Sequence, residues 1–232
     1  MREIVLDTET TGLNPAGGDR VVEIGGVELL NHIPTGRNLH LYINPERDMP
    51  AEAFAVHGLS IEFLANYPVF ADIADQFVEF VADSKLIIHN ASFDMGFLNH
   101  ELETLGRAPI PYTQAVDTLM LARRRHPGGP NNLDALCGRY GIDNSRRDKH
   151  GALLDAELLA EVYIELIGGR QAALSLVETV SGSGGGADET RAARPVPLAP
   201  LISETEKAAH AAFIAKLGPD SIWRKYRTLP EE

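Results

Sequence analysis

Asp7 and Glu9 follow a short apolar run and are the residues of this chain best placed to do chemistry. The run Ile4–Leu6 predicts a buried strand. Because side chains alternate between the two faces of a strand, the two carboxylates point to the same side. Such a pair is stable if a proton or a hard divalent cation such as Mg²⁺ lies between its members. Taken alone, however, the pair is more typical of a turn with solvated charges.

Asp94 and Asp155 are two further acids that lie close to predicted helix starts. A predicted strand breaks at Asn90, interpreted as a helix N-cap, which places Asp94 in the first helical turn. The alternative role for Asp94 is only to complement the helix dipole. If a loop ends between His150 and Asp155, the imidazole and the carboxylate can point into one site. A loop histidine without a role is the alternative for His150.

The elements that must position these residues predict an α/β domain, because hairpin strands come first and strands then alternate with helices. The sheet is expected to be mixed and the helices to flank it. Predicted strands are Ile4–Leu6, Val21–Leu30, Leu39–Ile43, Leu86–His89 and Ala115–Val116. Predicted helices are Phe70–Val81, Ser92–Leu105, Thr118–Arg125, Leu133–Tyr140, Ala152–Ile167 and, near the C-terminus, Glu204–Leu217.

The composition of the chain limits the kinds of function that it can have. The chain has 232 residues and a formal net charge of −12, which argues against broad electrostatic binding of nucleic acid over the whole surface. Its one cysteine, Cys137, rules out an intrachain disulfide and is predicted to be a packed core thiol. No stretch is long and apolar enough to span a membrane, and a cytoplasmic location is expected.

The C-terminal third differs in composition from the rest. A globular domain is predicted over residues 1–169, and a flexible linker over 181–200, where serine, glycine and proline accumulate. The short C-terminal tail, residues 201–232, contains Trp223, the only tryptophan of the chain. A tail of this size does not fold alone, so it is expected to dock either onto a partner or back onto its own domain.

Three motifs with the acids occur in a fixed order along the chain. They are Asp7-x-Glu9 with Thr10-Thr11-Gly12, Asn90-x-x-Phe93-Asp94, and His150-x₄-Asp155. With the flanking runs VHGLS, NNLDALC and HGALLDA, they resemble the DEDDh exonuclease superfamily. The residue sequence of these motifs is most similar to the DnaQ-type family of proofreading subunits of bacterial DNA polymerase III. The resemblance covers residues 3 to 169 and implies an RNase H-like five-stranded sheet.

This resemblance implies a reaction that depends on two metal ions. Two divalent ions, Mg²⁺ or Mn²⁺, would lie about 4 Å apart and clamp the scissile phosphate. Their ligands would be Asp7, Glu9, Asp94 and Asp155, and His150 would accept the proton of the attacking water. Nucleoside 5′-monophosphates would leave one at a time from DNA 3′ ends. Mispaired ends would react faster, because an unpaired terminus is easier to separate.

The resemblance also implies a pocket for the terminal nucleotide. The residues expected to contact this nucleotide are Asp7, Glu9, Thr10, Thr11, Gly12, His57, Phe93 and Asp155. For His57, the role of a hydrogen-bonded structural histidine stays open. The basic clusters, Arg123–Arg125 and Arg146-Arg147 with Lys149, are interpreted as solvated surface charge rather than as phosphate ligands.

Two segments beyond the domain suggest partners. Within residues 170–180, Gln171, Leu174 and Leu176 resemble a peptide that binds the sliding clamp, although an ordinary helix–linker junction is the alternative. The tail, residues 201–232, resembles the segment that attaches to the polymerase III catalytic subunit. A proofreading 3′–5′ exonuclease is therefore expected.

Two other functions are weighed against proofreading. A stand-alone trimming exonuclease, of the RNase T or oligoribonuclease kind, would share the catalytic residues but would not need the linker and tail. A catalytically silent adaptor between clamp and polymerase would not need the complete set of four acids and one histidine.

Overall fold

The computed structural model describes residues 1–147, 149–168 and 202–217. The chain divides into two units, Met1–Leu176 and Val177–Glu232. The predicted clamp-binding residues Gln171, Leu174 and Leu176, the linker 181–200 and Trp223 lie outside the described residues.

A mixed five-stranded sheet forms the centre of the first unit. Strand β1 (Arg2–Thr10) pairs antiparallel with β2 (Val21–Leu30), and β2 pairs antiparallel with β3 (Ile33–Tyr42). On its other side β1 pairs parallel with β4 (Lys85–Ile88), which pairs parallel with β5 (Ala115–Asp117). The strand order β3-β2-β1-β4-β5 confirms the predicted mixed α/β sheet and places β1 at its middle.

Helices cover both faces of this sheet. Those of the first unit are α1 (Ala51–His57), α2 (Ile61–Leu64), α3 (Phe70–Val81), α4 (Ala91–Thr104), α5 (Thr118–Arg125), α6 (Leu133–Tyr140) and α7 (Ala152–Leu166). The predicted bounds of α3, α5 and α6 are confirmed, whereas α4 is shifted by one residue at both ends and α7 ends one residue earlier than predicted. Neither α1 nor α2 was predicted, because helices this short depend on tertiary packing rather than on a periodic sequence pattern.

The alternation of β1 distributes its side chains between two apolar cores. Ile4 and Leu6 are fully buried against α3 and α4, whereas Val5 is fully buried against α6 and α7. Each fully buried aliphatic side chain contributes about 1.5–3 kcal/mol to folding. By the same alternation, Thr8 shares the face of Ile4 and Leu6, and the acids of β1 share the face of Val5.

Strand β1 is longer than the apolar run predicted. It continues to Thr10, with Asp7 opposite Gly25 and Glu9 opposite Glu23 on β2, and its register shifts only between Glu9 and Thr10. Asp7 and Glu9 therefore lie within the central strand, and their interpretation as part of a turn is wrong.

The start of α4 differs from the prediction. Asn90 adopts a left-handed conformation, with φ 65° and ψ 52°, and its side chain makes no capping hydrogen bond. Asparagine is among the few non-glycine residues that tolerate this region. The Asn90 backbone N–H donates instead to Asp117 Oδ1 at 3.2 Å. The resulting sharp turn still places Asp94 in the first turn of α4.

Helix α8 (Glu204–Lys216) occupies most of the described part of the second unit, residues 202–217. It begins with a capping box, in which the Ser203 and Glu206 side chains each accept a hydrogen bond from the other residue's backbone N–H. Phe213 is 59% exposed on this helix. Across the described residues of both units, no helix has the length and apolar character needed to cross a bilayer.

Candidate active site

Four carboxylates from three elements meet at one end of β1. Asp7 and Glu9 come from β1, Asp94 from α4 and Asp155 from α7, and all four line one cavity of about 360 Å³. His150, on the loop before α7, lines the same cavity. The structure thus brings together the five residues that the sequence named as catalytic.

Asp94 is held in place by the strand that supplies the first two acids. The Thr8 hydroxyl donates a hydrogen bond of 2.7 Å to Asp94 Oδ1, and both side chains are buried. Since Thr8 points to the opposite face of β1 from Asp7 and Glu9, this one strand contacts the site from both of its faces.

Asp155 reaches the cavity because α7 packs directly on the sheet backbone. A Cβ built on Gly25 would lie 2.2 Å from the backbone of Ala152 at the start of α7. Further along α7, the Tyr163 hydroxyl donates 2.8 Å to Glu3 Oε1 on β1. The sequence reasoning missed Gly25, although two successive glycines inside a predicted strand are a signal of close backbone approach.

The electrostatics of the cavity favour a bound cation. Burial, and then the charges of Asp94, Glu9 and Asp155, raise the pKa of Asp7 well above its usual range. Burial, with the charge of Glu23 next, raises the pKa of Glu9 to about 8. Burial also raises the pKa of Asp94 to about 7, against the hydrogen bond from Thr8. These oxygens are costly to ionise without a counter-charge, so the donor set fits a hard divalent ion.

Asp155 differs from the other three acids. Burial acts to raise its pKa, but hydrogen bonds from Arg147 and His150 outweigh burial and lower the pKa below the ordinary value. Arg147 Nε lies 2.5 Å from Asp155 Oδ1, and Arg147 Nη2 lies 2.7 Å from Oδ2. The Arg147 side chain is only 7% exposed. Its interpretation as solvated surface charge is therefore wrong.

His150 is the most accessible member of the site. Its side chain is 47% exposed, and its Nδ1 lies 3.2 Å from Asp155 Oδ2. Its backbone N–H donates to the Val56 carbonyl of α1 at 3.3 Å. Together with Glu9 and Asp155, it offers ligand atoms that all lie within 4.8 Å of one another.

A second, more apolar pocket of about 490 Å³ adjoins the acidic cavity. Thr8, Glu9 and Phe93 line both spaces. The predicted substrate residues Thr10, Thr11, Gly12, His57 and Phe93 all line the apolar pocket, together with Leu13, Asp19, Pro50, Glu52, Ala53 and Val56. Three residues of α1 in this lining, Glu52, Ala53 and Val56, were not found from the sequence, because α1 itself was not predicted.

His57 is buried in this pocket with one ring nitrogen occupied. Its Nδ1 accepts a hydrogen bond from the Leu59 backbone N–H at 3.0 Å. Burial lowers its pKa, so the ring is neutral and its hydrogen lies on Nε2. Within the described residues, Nε2 makes no hydrogen bond of normal geometry. Nε2 is itself buried, and a backbone hydrogen bond with Thr10 acts on the pKa of this ring, so the contacts of His57 are structural.

Comparison with known proteins identifies the protein family to which this chain belongs. The sequence pattern of the Exonuclease family matches residues 4–163, and the chain belongs to this family. The nuclease domain of 3'hExo, described as a DEDDh family member bound to rAMP, shares the fold. Its TM-score is 0.61 at 15% identity, over 72% of this chain and 92% of that one. The predicted exonuclease family and the predicted fold are confirmed.

Curated relatives give the place within that family. "DNA polymerase III subunit epsilon" of Rickettsia felis is 60% identical over 181 residues, which cover 77% of this chain and 79% of the relative. The protein of the same name from Escherichia coli K12 is 44% identical over 237 residues, which cover 96% and 97%. The predicted resemblance to this group of exonucleases is confirmed.

The raised carboxyl pKa values predict how the metal-free protein responds to pH. Acids whose pKa is raised by folding stabilise the protein below their unfolded pKa, and that stabilisation is lost as pH rises through the folded pKa. For Asp94 and Glu9 the folded values are about 7 and about 8. In EDTA, the melting temperature should therefore fall as the pH rises from about 4, the ordinary carboxyl pKa of the unfolded chain, to about 8, the folded pKa of Glu9. Glu9→Gln should flatten this fall, and an unchanged slope in that variant would contradict the assignment.

Proposed function

We propose that the chain is the proofreading 3′–5′ exonuclease subunit of a bacterial replicative DNA polymerase. The observation that carries this proposal is the meeting of Asp7, Glu9, Asp94, Asp155 and His150 beside an apolar pocket that could hold one nucleotide. The names of the curated relatives support the same function. The substrate would be a single-stranded or frayed DNA 3′ end, and the products nucleoside 5′-monophosphates.

The four acids would hold two divalent ions, Mg²⁺ or Mn²⁺. When bound, such ions polarise phosphate oxygens and make water a better nucleophile at neutral pH. The raised pKa values of Asp7, Glu9 and Asp94 support this assignment, because a cation would replace the proton that each otherwise retains. The buried Thr8 hydroxyl keeps Asp94 oriented toward the site.

His150 would act as the general base. Because its Nδ1 faces the Asp155 carboxylate, the proton of the attacking water would be accepted at Nε2. A hydrogen bond from Nδ1–H to Asp155 would fix this tautomer and stabilise the charged ring. The 47% exposure of the His150 side chain lets the proton pass on to solvent.

The adjoining apolar pocket would bind the terminal nucleoside. Phe93 lines both this pocket and the acidic cavity, so a base beside it would present its phosphate to the acids. His57 lines this pocket and would pack near the sugar or base. Gly12 has no room for a side chain, since a Cβ would lie 2.3 Å from Asp19 Oδ2. Contact with one nucleotide reads little sequence and favours frayed ends.

Replacing His150 with alanine should lower the single-turnover rate by about 10²–10⁴-fold, the usual loss when a general base is removed. Substrate affinity should be nearly unchanged, because the histidine contacts the attacking water rather than the nucleotide. The rates would be measured on a 3′-labelled single strand at saturating Mg²⁺. His100→Ala on α4 is the matched control. A loss smaller than tenfold in His150→Ala would remove this residue from the role.

Digestion of a 3′-labelled primer with a mispaired end tests the function itself. The mispaired end should be removed faster than a paired end, and the label should appear as a 5′-monophosphate. A matched RNA oligomer distinguishes the alternatives. Preferred cleavage of RNA would indicate a stand-alone trimming enzyme, and no cleavage with Mg²⁺ or Mn²⁺ would indicate a silent adaptor.

The second unit would connect the nuclease to its partners. In this proposal residues 1–169 are the nuclease, 170–180 bind the sliding clamp, 181–200 are a flexible linker and 201–232 bind the polymerase catalytic subunit. Phe213, exposed on α8, supports a docking role, since aromatic residues are frequent anchors in interfaces. A tethered nuclease has a high effective concentration at the primer end. Such a subunit would work in the cytoplasm, at the replisome on the nucleoid.

Truncation after Val180 should separate activity from attachment. Cleavage of free single strands should stay at the parental rate, because the acids and His150 all lie before this point. Co-elution with the polymerase catalytic subunit should be lost, and proofreading of an extending primer should weaken. The measurements are gel filtration of mixed subunits and a primer-extension assay. Full co-elution of the truncated chain would indicate that the interface lies on the nuclease domain instead.

A further inference from the structure

Arg147 is the basic side chain most closely engaged with the acidic cavity. Its Nε and Nη2 donate to the two oxygens of Asp155, at 2.5 Å and 2.7 Å. Its Nη1 donates to Asp134 Oδ1 on α6 at 2.7 Å. The two aspartates differ in exposure, because the Asp155 side chain is 4% exposed and that of Asp134 is 55% exposed. The guanidinium therefore bridges a buried acid and a more exposed acid, both of which line the acidic cavity.

This bridge uses the acceptor that a metal ion would need. A carboxylate offers about four lone-pair positions, and Arg147 occupies one on each Asp155 oxygen. A divalent ion on the same carboxylate would lie close to a guanidinium that cannot lose its charge. Two cations on one carboxylate repel each other, so Arg147 at this position opposes metal binding.

The same guanidinium also constrains His150. Arg147 Nη2 lies 2.6 Å from His150 Nδ1, and a guanidinium nitrogen only donates. The same Nδ1 also lies 3.2 Å from Asp155 Oδ2, which can only accept, so the two contacts require opposite tautomers. The guanidinium contact is the shorter of the two, so Nδ1 accepts from Arg147, and the hydrogen of a neutral ring lies on Nε2. A ring in this state has no free lone pair at Nε2. In this arrangement His150 is not ready to accept a proton there.

We propose that Arg147 is a positioning residue with two positions. Without metal it neutralises Asp155 and holds His150 in the Nε2–H tautomer. When divalent ions bind, it withdraws from Asp155 and His150 Nδ1 and remains anchored on Asp134. The Nδ1–H of His150 then donates to Asp155, and Nε2 is free. This inference rests on the proposed function, since it assigns a role within the same metal site.

Metal affinity is the first test, with Mn²⁺ as the probe. Arg147→Gln should bind Mn²⁺ about tenfold more tightly than the parent in titrations followed by electron paramagnetic resonance, because the repelling cation is gone. Asp134→Asn should bind Mn²⁺ more weakly, because Arg147 loses its outer anchor. Arg139→Gln, which removes a neighbouring exposed arginine, is the control and should match the parent. Equal or weaker Mn²⁺ binding by Arg147→Gln would overturn the proposal.

The tautomer of His150 is the second test and needs no substrate. Nitrogen-15 spectra of the metal-free parent should show Nε2–H, and addition of Mg²⁺ should convert the ring to Nδ1–H. Arg147→Gln should show Nδ1–H already in EDTA. An unchanged tautomer in either comparison would overturn the proposal. Arg147→Lys keeps the charge but lacks the planar set of donors that contacts both Asp155 and His150. It replaces the glutamine variant in this measurement if that variant does not fold. Both readouts stand apart from nuclease assays, so failure of the proposed function would be recognised separately.

Discussion

The exchange of Asp7 for asparagine should abolish exonuclease activity while making the metal-free protein more stable. Asp7 is affected by the charges of all three other acids. Burial is the largest cause of its raised pKa, and the charges of Asp94, Glu9 and Asp155 raise the pKa further. Asparagine keeps the shape of the side chain but removes one repelling charge and one anionic metal ligand. A loss of more than about 10³-fold in rate is expected, because the electrostatic stabilisation of the reacting phosphate depends on the metal.

Two measurements on the same sample check this expectation. The rate is followed on a 3′-labelled mispaired primer with saturating Mg²⁺, and the melting temperature is recorded in EDTA near pH 8. Asp83→Asn removes the same charge from an exposed position after α3 and should change neither quantity. If Asp7→Asn kept near-normal turnover with unchanged metal saturation, the acidic cavity would not be the active site.

Substitution of Gly25 by valine should impair the enzyme without touching any acid. A Cβ at this position would lie 2.2 Å from the Ala152 backbone, well inside contact distance, so α7 must move away from the sheet. Asp155 is on α7 and would move with it. A displacement of about 1 Å in a catalytic group can cost about 10²-fold in rate, and a loss of at least that size is expected.

Stability should change less than activity in this variant. Forced movement of a packed element costs about 1–3 kcal/mol, so the domain should remain folded. The rate on single strands, the affinity for Mn²⁺ and the melting temperature are measured together. Gly138→Ala on α6 is the matched control, because no atom lies within 4 Å of the added Cβ. Parental Mn²⁺ affinity and rate in Gly25→Val would show that α7 is not positioned by this contact.

The sequence was sufficient for the parts of the site that depend on local pattern. The sequence pattern located α3, α5 and α6. Motif order, together with the family resemblance, pointed to Asp94, Asp155 and His150, which line one cavity. Such predictions succeed because strand alternation and helix starts are determined by a few neighbouring residues.

Other parts depend on contacts between distant segments and could not be predicted in this way. Helix α1 has seven residues and no strong periodicity, so its place beside the apolar pocket follows from packing alone. Arg147 belongs to a basic cluster that looks solvated in sequence, and it is buried because Asp134 and Asp155 come to it from two helices. Asn90 resembles a helix cap, yet the connection from β4 to α4 requires its left-handed backbone.

The alternation of β1 limits how the gene for this chain can change. Asp7 and Glu9 serve one face of the strand and Thr8 serves the other, so each of the three depends on its odd or even place. Gain or loss of a single codon between Ile4 and Asp7 would turn both acids toward the core of α3 and α4. Point substitutions can therefore tune this strand, but changes in its length cannot be tolerated. The pleat of β1 therefore fixes the positions that the acids must occupy in the sequence.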